Sequence, residues 1–353
     1  MLPDRSFWQH KRVFVTGHTG FKGGWLSLWL HRLGAEVKGY ALAPERAPNL
    51  FDVAGIDGVV QSEIGDVNDL QQLQASMVAF DPDIVIHLAA QPLVRRSYRE
   101  PIATYETNVM GTVKLLEAAR ACAKLKSVIC VTTDKCYENR EWSRGYREED
   151  AMGGYDPYSS SKGCAELAIA AYRRSFLAAQ GVGVASARAG NVIGGGDWAE
   201  DRLVPDLLHA FARQALLQVR YPMAIRPWQH VLEPLCGYLL LAEQLYKAPD
   251  AYAEAWNFGP HDRDVRSVAE LLDVFVQRWG DGARWRAQAG EHLHEAGVLK
   301  LDSAKAMARL AWQPRWSVDE AVQQVVDWHR AWMQDRDMQA VCLVQIQVYE
   351  GCE

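Results

Sequence analysis

The chain has 353 residues, 49% of them hydrophobic and 23% charged, and a net charge of −6. That is enough apolar material for a substantial core, in one large domain or in two lobes sharing a cleft. Lysine and arginine are scattered, which argues against a nucleic-acid binder. No apolar run approaches the ~18 residues of a membrane span, and Asp4 and Arg5 stand too close to the first strand to leave room for a signal peptide. The seven cysteines (122, 130, 136, 164, 236, 342 and 352) form no CxxC pair, and an odd number speaks against a disulfide framework. They read as thiols in a reducing cytoplasm.

Short β-branched runs alternate with helical stretches over the first half. Arg12–Thr16 reads as a buried strand and Phe21–Leu33 as a helix. Glu36–Leu42 and Asp83–Leu88 are further strands, and Pro101–Cys122 is predicted as one long helix. Ser127–Thr133 is a strand, Tyr158–Ala179 a helix rich in alanine, and Val182–Ala187 a strand. Such alternation predicts an α/β fold, a Rossmann-type doubly wound parallel sheet covered on both faces. Beyond Asn191 the pattern loosens into glycine- and tryptophan-containing loops between the predicted helices Leu203–Arg213, Pro234–Tyr246 and Val318–Trp332. Residues 1–190 are therefore expected to form the first lobe and 191–353 mainly a smaller one. Val231–Tyr246 and Ala255–Phe258 are candidates to re-enter the first lobe. Val341–Tyr349 reads as a terminal helix or strand packed on the body or on a partner.

Ligands on such sheets lie at the carboxyl ends of the strands, and the motifs stand there. Gly17-His18-Thr19-Gly20-Phe21-Lys22-Gly23 follows the first strand and opens the first helix. Its glycines suit a tight turn, the close approach of a pyrophosphate and close helix–strand packing; the helix N-terminus offers amides to phosphate. A dinucleotide site is expected, with Thr19, Phe21 and Lys22 among its residues. An acidic residue should end the second strand and hold the ribose hydroxyls, but that strand ends Gly39-Tyr40-Ala41-Leu42-Ala43-Pro44 and the first carboxylate is Glu45. No arginine stands at the strand end for a 2′-phosphate, so NAD is favoured over NADP. Asp66 and Val67 are placed to contact adenine, and Leu88-Ala89-Ala90 supply small residues where the cofactor lies on the backbone. Asn108, in the long middle helix, is a candidate to support the site.

Tyr158 and Lys162 are four residues apart, on one helix face. An ammonium and a positive nicotinamide ring should lower the phenol from its usual ~10, making Tyr158 the base that takes a hydroxyl proton as hydride leaves. Thr132 and Thr133 end the preceding strand, followed by Asp134 and Lys135. Once a sugar is oxidised at C4, the ketone acidifies the C5 proton, and loss of the C6 hydroxyl needs a base and an acid. Asp134 is the expected acid, which requires a carboxyl kept protonated by burial. Lys135 is the expected base, or else a charged helper. A C4 epimerase would use Tyr158 and Lys162 without Asp134 and Lys135; a non-catalytic dinucleotide-binding protein would need neither pair.

These runs, together with His87–Tyr98, Ala189–Trp198 and Arg226–Pro234, resemble the nucleotide-sugar 4,6-dehydratases of the extended short-chain dehydrogenase/reductase superfamily. Thr132-Thr-Asp-Lys-Cys-Tyr-Glu-Asn139 is similar to their CDP-glucose branch, because dTDP-glucose relatives carry Thr-Asp-Glu and GDP-mannose relatives Thr/Ser-Ser-Glu at this place. The resemblance implies conversion of CDP-D-glucose to CDP-4-dehydro-6-deoxy-D-glucose and water, with NAD recycled each turnover and no metal. It implies a homodimer or homotetramer, in the making of dideoxysugars for the O-antigen of lipopolysaccharide. It also implies substrate contacts from Asn191, from Arg202, Leu203 and Val204, and from Arg226 on the diphosphate, with Gln91, Arg96 and Asn257 as weaker transfers.

Overall fold

In the computed structural model, which describes residues 1–280, 282–288 and 297–351, seven strands form the central sheet. They are β1 (Arg12–Thr16), β2 (Glu36–Ala41), β3 (Gln61–Ile64), β4 (Ile84–His87), β5 (Ser127–Val131), β6 (Gly183–Ala189) and β7 (Ala255–Phe258). All pair in parallel, in the order β7–β6–β5–β4–β1–β2–β3. The order reverses direction between β1 and β4, where the strand ends part to leave a crevice.

Alternation along the strands divides the core in two. Val13, Val15, Ile84, Ile86, Ile129 and Val131 face one layer, with helices α1 (Phe21–Leu33), α6 (Leu232–Lys247) and α9 (Met338–Glu350). Phe14, Val85, Val128, Cys130 and Val184 face the other, against α2 (Leu70–Phe80), α3 (Gly111–Ala119) and α4 (Pro157–Tyr172). Helix α6 is buried nearly all round, including consecutive Leu239, Leu240 and Leu241. At about 1.5–3 kcal/mol for each fully buried leucine, it anchors the sheet strongly. Both β7 and α6 come from beyond residue 190. A third core gathers Leu207, Leu208 and Phe211 of α5 (Leu203–Ala212), Leu271, Leu272 and Phe275 of α7 (Val268–Trp279), and Val322, Val325 and Val326 of α8 (Val318–Met333).

Several boundaries differ from the sequence reading. The helix expected over Pro101–Cys122 is interrupted by a π-helical turn at Glu106–Met110 and ends at Ala119. That turn carries the buried Asn108, whose side chain satisfies the backbone of Gln91 (Gln91 N to Oδ1, 2.9 Å; Nδ2 to Gln91 O, 3.1 Å). The helix expected to reach Ala179 ends at Tyr172 and continues as a π-helical turn over Arg173–Leu177. The terminal stretch is a helix: Asp337 caps its start by accepting from Ala340 N, and Gly351, with φ of 75°, ends it. Cys352 lies outside the described residues. Among the described residues no helix is long and apolar enough to cross a membrane.

Candidate active site

A cleft of about 1240 Å³ opens over the carboxyl ends of the strands, between the sheet and the third core. Its floor begins at the glycine-rich turn after β1. Gly17 has φ of 78°, and a Cβ there would meet Ala89 N at 2.8 Å; one on Gly23 would meet Gly17 O at 2.0 Å. Neither position accepts a side chain. Gly20 caps α1 without a side-chain hydrogen bond, and a Cβ there would touch only Gly17 O at 3.4 Å. The first amides of α1 are thus presented to the cleft beside Thr19 and Phe21, a cradle suited to a pyrophosphate. The Thr16 hydroxyl accepts from Leu88 N and Ala89 N, both at 3.2 Å, and meets His87 Nδ1 at 2.7 Å. This fixes the Leu88–Ala90 segment against the turn, with Asp66 and Val67 on the same wall.

No acidic side chain at the end of β2 meets the cleft without a partner. Glu45 is paired with Arg96 (2.7 Å), which also holds Glu100 (2.9 Å). The His18 ring lies where a side chain on Gly39 would stand, 2.3 Å from a Cβ built there, and its Nε2 meets Ser62 Oγ at 2.7 Å. Burial pulls His18 down to about 4, so it is neutral at physiological pH.

The residues expected to react meet between β5 and α4. Asp156 caps α4 by accepting from Ser159 N, and Pro157 occupies the first turn, where its missing N–H costs nothing. The helix carries Tyr158 and Lys162 into the cleft, both buried. Lys162 Nζ donates to Val131 O at 3.4 Å; burial pulls the ammonium down to about 8, against the opposing charge of Glu166. Tyr158 departs from the sequence expectation. Burial pushes its phenol up to about 12, with Asp134 adding to the rise, while a hydrogen bond with Thr133 and the charge of Arg202 only partly offset it. Protein groups alone do not make this tyrosine acidic, because the phenolate would lose water beside a carboxylate.

Thr133 starts a single 3₁₀ turn, Asp134–Cys136. Its hydroxyl donates to Asp134 Oδ1 at 2.9 Å, while Oδ2 is buried with no hydrogen-bond partner among the described residues. A Cβ on Gly190 would stand 3.2 Å from that oxygen, so the small residue there leaves it room. Lys135 lies beside it, half-buried on the cleft wall. Lys22 belongs to the same electrostatic cluster. Burial, helped by the charges of Arg202 and Lys162, pulls it down to about 7, while Asp134 opposes the fall.

The opposite wall comes from the second half of the chain. Asn191, Arg202, Leu203, Val204 and Arg226 all line it. Arg202 Nη1 donates to Asp197 Oδ2 at 2.9 Å, and the buried Arg226 holds Ile225 O at 2.9 Å. Gln91 borders the cleft, but its amide is used on Leu93 of its own loop and on Thr104 Oγ1 (2.9 Å) of the helix Pro101–Tyr105. Asn257 does not line the cleft. It is fully buried outside the cleft, accepting from Tyr137 OH at 2.7 Å and donating to Tyr146 O (2.8 Å) and Asp302 O (3.2 Å). It stands at a strand end, but a loop folds over it and takes both its polar atoms. The sequence reading missed the cleft-lining segment Leu217–Tyr221, whose three-residue strand leaves too short a pattern to read, and Trp198, which packs edge-on against Trp328 and Trp332.

Residues 14–325 match the GDP-mannose 4,6 dehydratase family. A CDP-glucose 4,6-dehydratase of Salmonella typhimurium is 54% identical over 340 residues, covering 95% of each chain. A dTDP-glucose 4,6-dehydratase of Streptomyces antibioticus is 28% identical over 331 residues, covering 90% of this chain and 92% of the relative. Among solved structures, a dTDP-glucose 4,6-dehydratase of Streptomyces venezuelae with NAD bound superposes with a TM-score of 0.78 at 23% identity, covering 93% of this chain and 99% of that one. A UDP-glucose 4-epimerase of Stenotrophomonas maltophila gives 0.79 at 21%, covering 92% and 99%. The two superpositions describe a shared fold.

Proposed function

The chain belongs to the GDP-mannose 4,6 dehydratase family of nucleotide-sugar dehydratases, and on that premise we propose that it is an NAD-dependent CDP-glucose 4,6-dehydratase. One observation carries the reading: Asp134 and Lys135 share a cleft wall with Tyr158 and Lys162, so an elimination pair stands beside an oxidation pair. The 54% identical relative supports CDP-glucose as the substrate. Bound NAD, for which the glycine turn and the start of α1 form a fitting cradle, supplies a hydride acceptor and a positive charge that favours the Tyr158 phenolate. Tyr158 takes the O4 proton as hydride leaves C4. Lys135 takes the acidified C5 proton, and Asp134 protonates the departing C6 hydroxyl, which leaves as water. With NAD bound to return the hydride to C6, and Lys135 returning its proton to C5, the reaction would be redox-neutral. Thr133 orients Tyr158 and Asp134. Arg202 and Arg226 neutralise the diphosphate, for which guanidinium groups suit well.

The protein is further proposed to work in the cytoplasm as a homo-oligomer. Ile102 (74% exposed), Met110, Leu167 (64% exposed) and Phe176 stand on neighbouring helical segments and would be covered by a second copy; sedimentation of wild type against Ile102→Asp/Leu167→Asp tests this. The activity is tested by incubating the protein with CDP-, dTDP-, UDP- and GDP-hexoses and following the alkali-induced absorbance of keto-sugars. With CDP-glucose deuterated at C4, the label should appear at C6 of the same molecule. Epimerised product without loss of water, or net accumulation of reduced nicotinamide, would defeat the scheme.

A further inference from the structure

Beneath the Thr132–Tyr137 loop lies a buried polar network that the chemistry above does not use. Glu166, one helical turn beyond Lys162, accepts four hydrogen bonds. They come from Thr132 Oγ1 (2.5 Å), Ser186 Oγ (2.6 Å), and Arg188 Nε (2.9 Å) and Nη2 (2.8 Å). Side chains of Glu166 and Arg188 are only 2% and 1% exposed. Arg188 Nη1 donates to the Tyr137 oxygen at 2.7 Å, and the Tyr137 hydroxyl donates to Asn257 Oδ1 at 2.7 Å. The Tyr137 ring stacks on Tyr146 with centroids 5.2 Å apart. Glu166 therefore grips the loop at Thr132, and through Arg188 the same pair grips it at Tyr137. Asp134 and Lys135 lie between the two grips.

A buried ion pair adds little net stability compared with apolar residues of the same shape, since desolvation offsets attraction. What a fully satisfied pair supplies is a fixed geometry. Here the geometry fixed is that of the Thr132–Tyr137 segment, whose only regular structure is one 3₁₀ turn. Resting on the dehydratase reading above, we propose that Glu166, Arg188 and Tyr137 are positioning residues for elimination, holding Asp134 and Lys135 against C5 and C6 of the sugar. Hydride transfer depends on Tyr158, which α4 carries, and its loop partner, Thr133, lies at the Thr132 end of the segment and not at Tyr137. Burial also keeps Tyr137 a neutral phenol, its pKa raised, so it relays position and not protons.

The discriminating variant is Tyr137→Phe, which keeps the stacked ring and removes only the oxygen between Arg188 and Asn257. With CDP-glucose, kcat should fall about tenfold while KM changes little, since small misplacement of a reacting group costs one to two orders of magnitude. In a single turnover, reduced nicotinamide should form at the wild-type rate and then decay about tenfold more slowly. In the protein alone, amides of residues 134–137 should exchange with deuterium faster, and those of 158–166 should not. Equal slowing of formation and decay, or no effect on either, would overturn the proposal. So would unchanged exchange at 134–137, whatever the substrate proves to be. Should Tyr137→Phe fold poorly, Ser186→Ala removes a donor from Glu166 away from the cleft, and the same split should appear at about threefold, the order of one net hydrogen bond. A wild-type protein that dehydrates none of the hexoses would defeat the functional reading; a wild type that does, with an unsplit Tyr137→Phe, defeats the network alone.

Discussion

The floor and the roof of the cleft are held in different ways. The floor, from Thr132 to Glu166, rests on buried hydrogen bonds and on the enclosed Glu166–Arg188 pair. The roof, the segment from Gly194 to Asp206, is tied across the cleft by Arg46–Glu200 (2.8 Å) and Arg95–Asp201 (2.9 Å). Their side chains are 31–61% exposed. Exposed pairs contribute about 0–1 kcal/mol each and weaken with salt, whereas a buried network opens only with the surrounding fold. Trp198 adds an apolar anchor for the roof against Trp328 and Trp332. The comparison teaches that the groups proposed to move protons are held by buried bonds, while the wall proposed to admit the nucleotide is held by contacts that open at small cost.

The largest effect should come from the floor. Tyr158→Phe should lower turnover about 10³-fold by removing the proton acceptor, within the usual range for general acid–base catalysis, and Lys162→Met should cost less. Near-normal turnover in Tyr158→Phe at neutral pH would remove the floor's claim to the chemistry. Next, Lys135→Ala should form reduced nicotinamide with substrate yet release product about 10²-fold more slowly. Rescue by small amines in proportion to their basicity would mark Lys135 as the base; absence of rescue would leave it the charged helper.

Burial of the floor also has a stability cost that pH can reveal. Lys162 is pulled from 10.5 to about 8, so between these values the unfolded chain binds the proton that the folded chain has lost. The penalty is present in full below about 8 and disappears as pH rises toward 10.5. Lys162→Met should therefore be more stable than wild type at pH 7 by on the order of 2 kcal/mol. Denaturation at a series of pH values should show the gap closing between pH 8 and 10.5; a constant gap would mean that packing, not charge, sets it.

Roof variants should act on binding. Arg202→Lys is expected to raise KM for the nucleotide sugar about tenfold with kcat nearly kept, because a bidentate donor is lost. A fall in kcat as large as that of Lys135→Ala would break the distinction between floor and roof. The smallest effect belongs to the outer ties. Glu200→Gln/Asp201→Asn should speed NAD release by about fivefold or less, in line with two weak exposed pairs. That increment should vanish in high salt, as stopped-flow release measurements can show.

Much of this protein was readable along the chain because its rules are local. The strand–glycine-turn–helix unit at Arg12–Leu33 follows from residues that are sequence neighbours, and the structure reproduces its bounds. Tyr158 and Lys162 share a face because helical spacing demands it. Asp134 and Lys135 stand at the cleft because they follow a strand of a parallel sheet. What depended on distant partners was not readable. Tyr137 meets Asn257 across 120 positions, and Trp8 meets Glu243 across 235. The π-helical turn at Asn108 depends on the loop its amide serves. Burial is likewise a tertiary property: it pushed Tyr158 up where a sequence neighbour was expected to pull it down. Backbone sterics and side-chain periodicity act within a few residues, so the sequence by itself determined the sheet class, the glycine turn and the placing of the proposed reacting groups at strand and helix ends. Desolvation and hydrogen bonding act through whatever the folded chain brings near, so only the tertiary structure decided that Asn257 is enclosed, that Glu166 and Arg188 bond both ends of the Thr132–Tyr137 loop, and that the roof is tied by exposed charges.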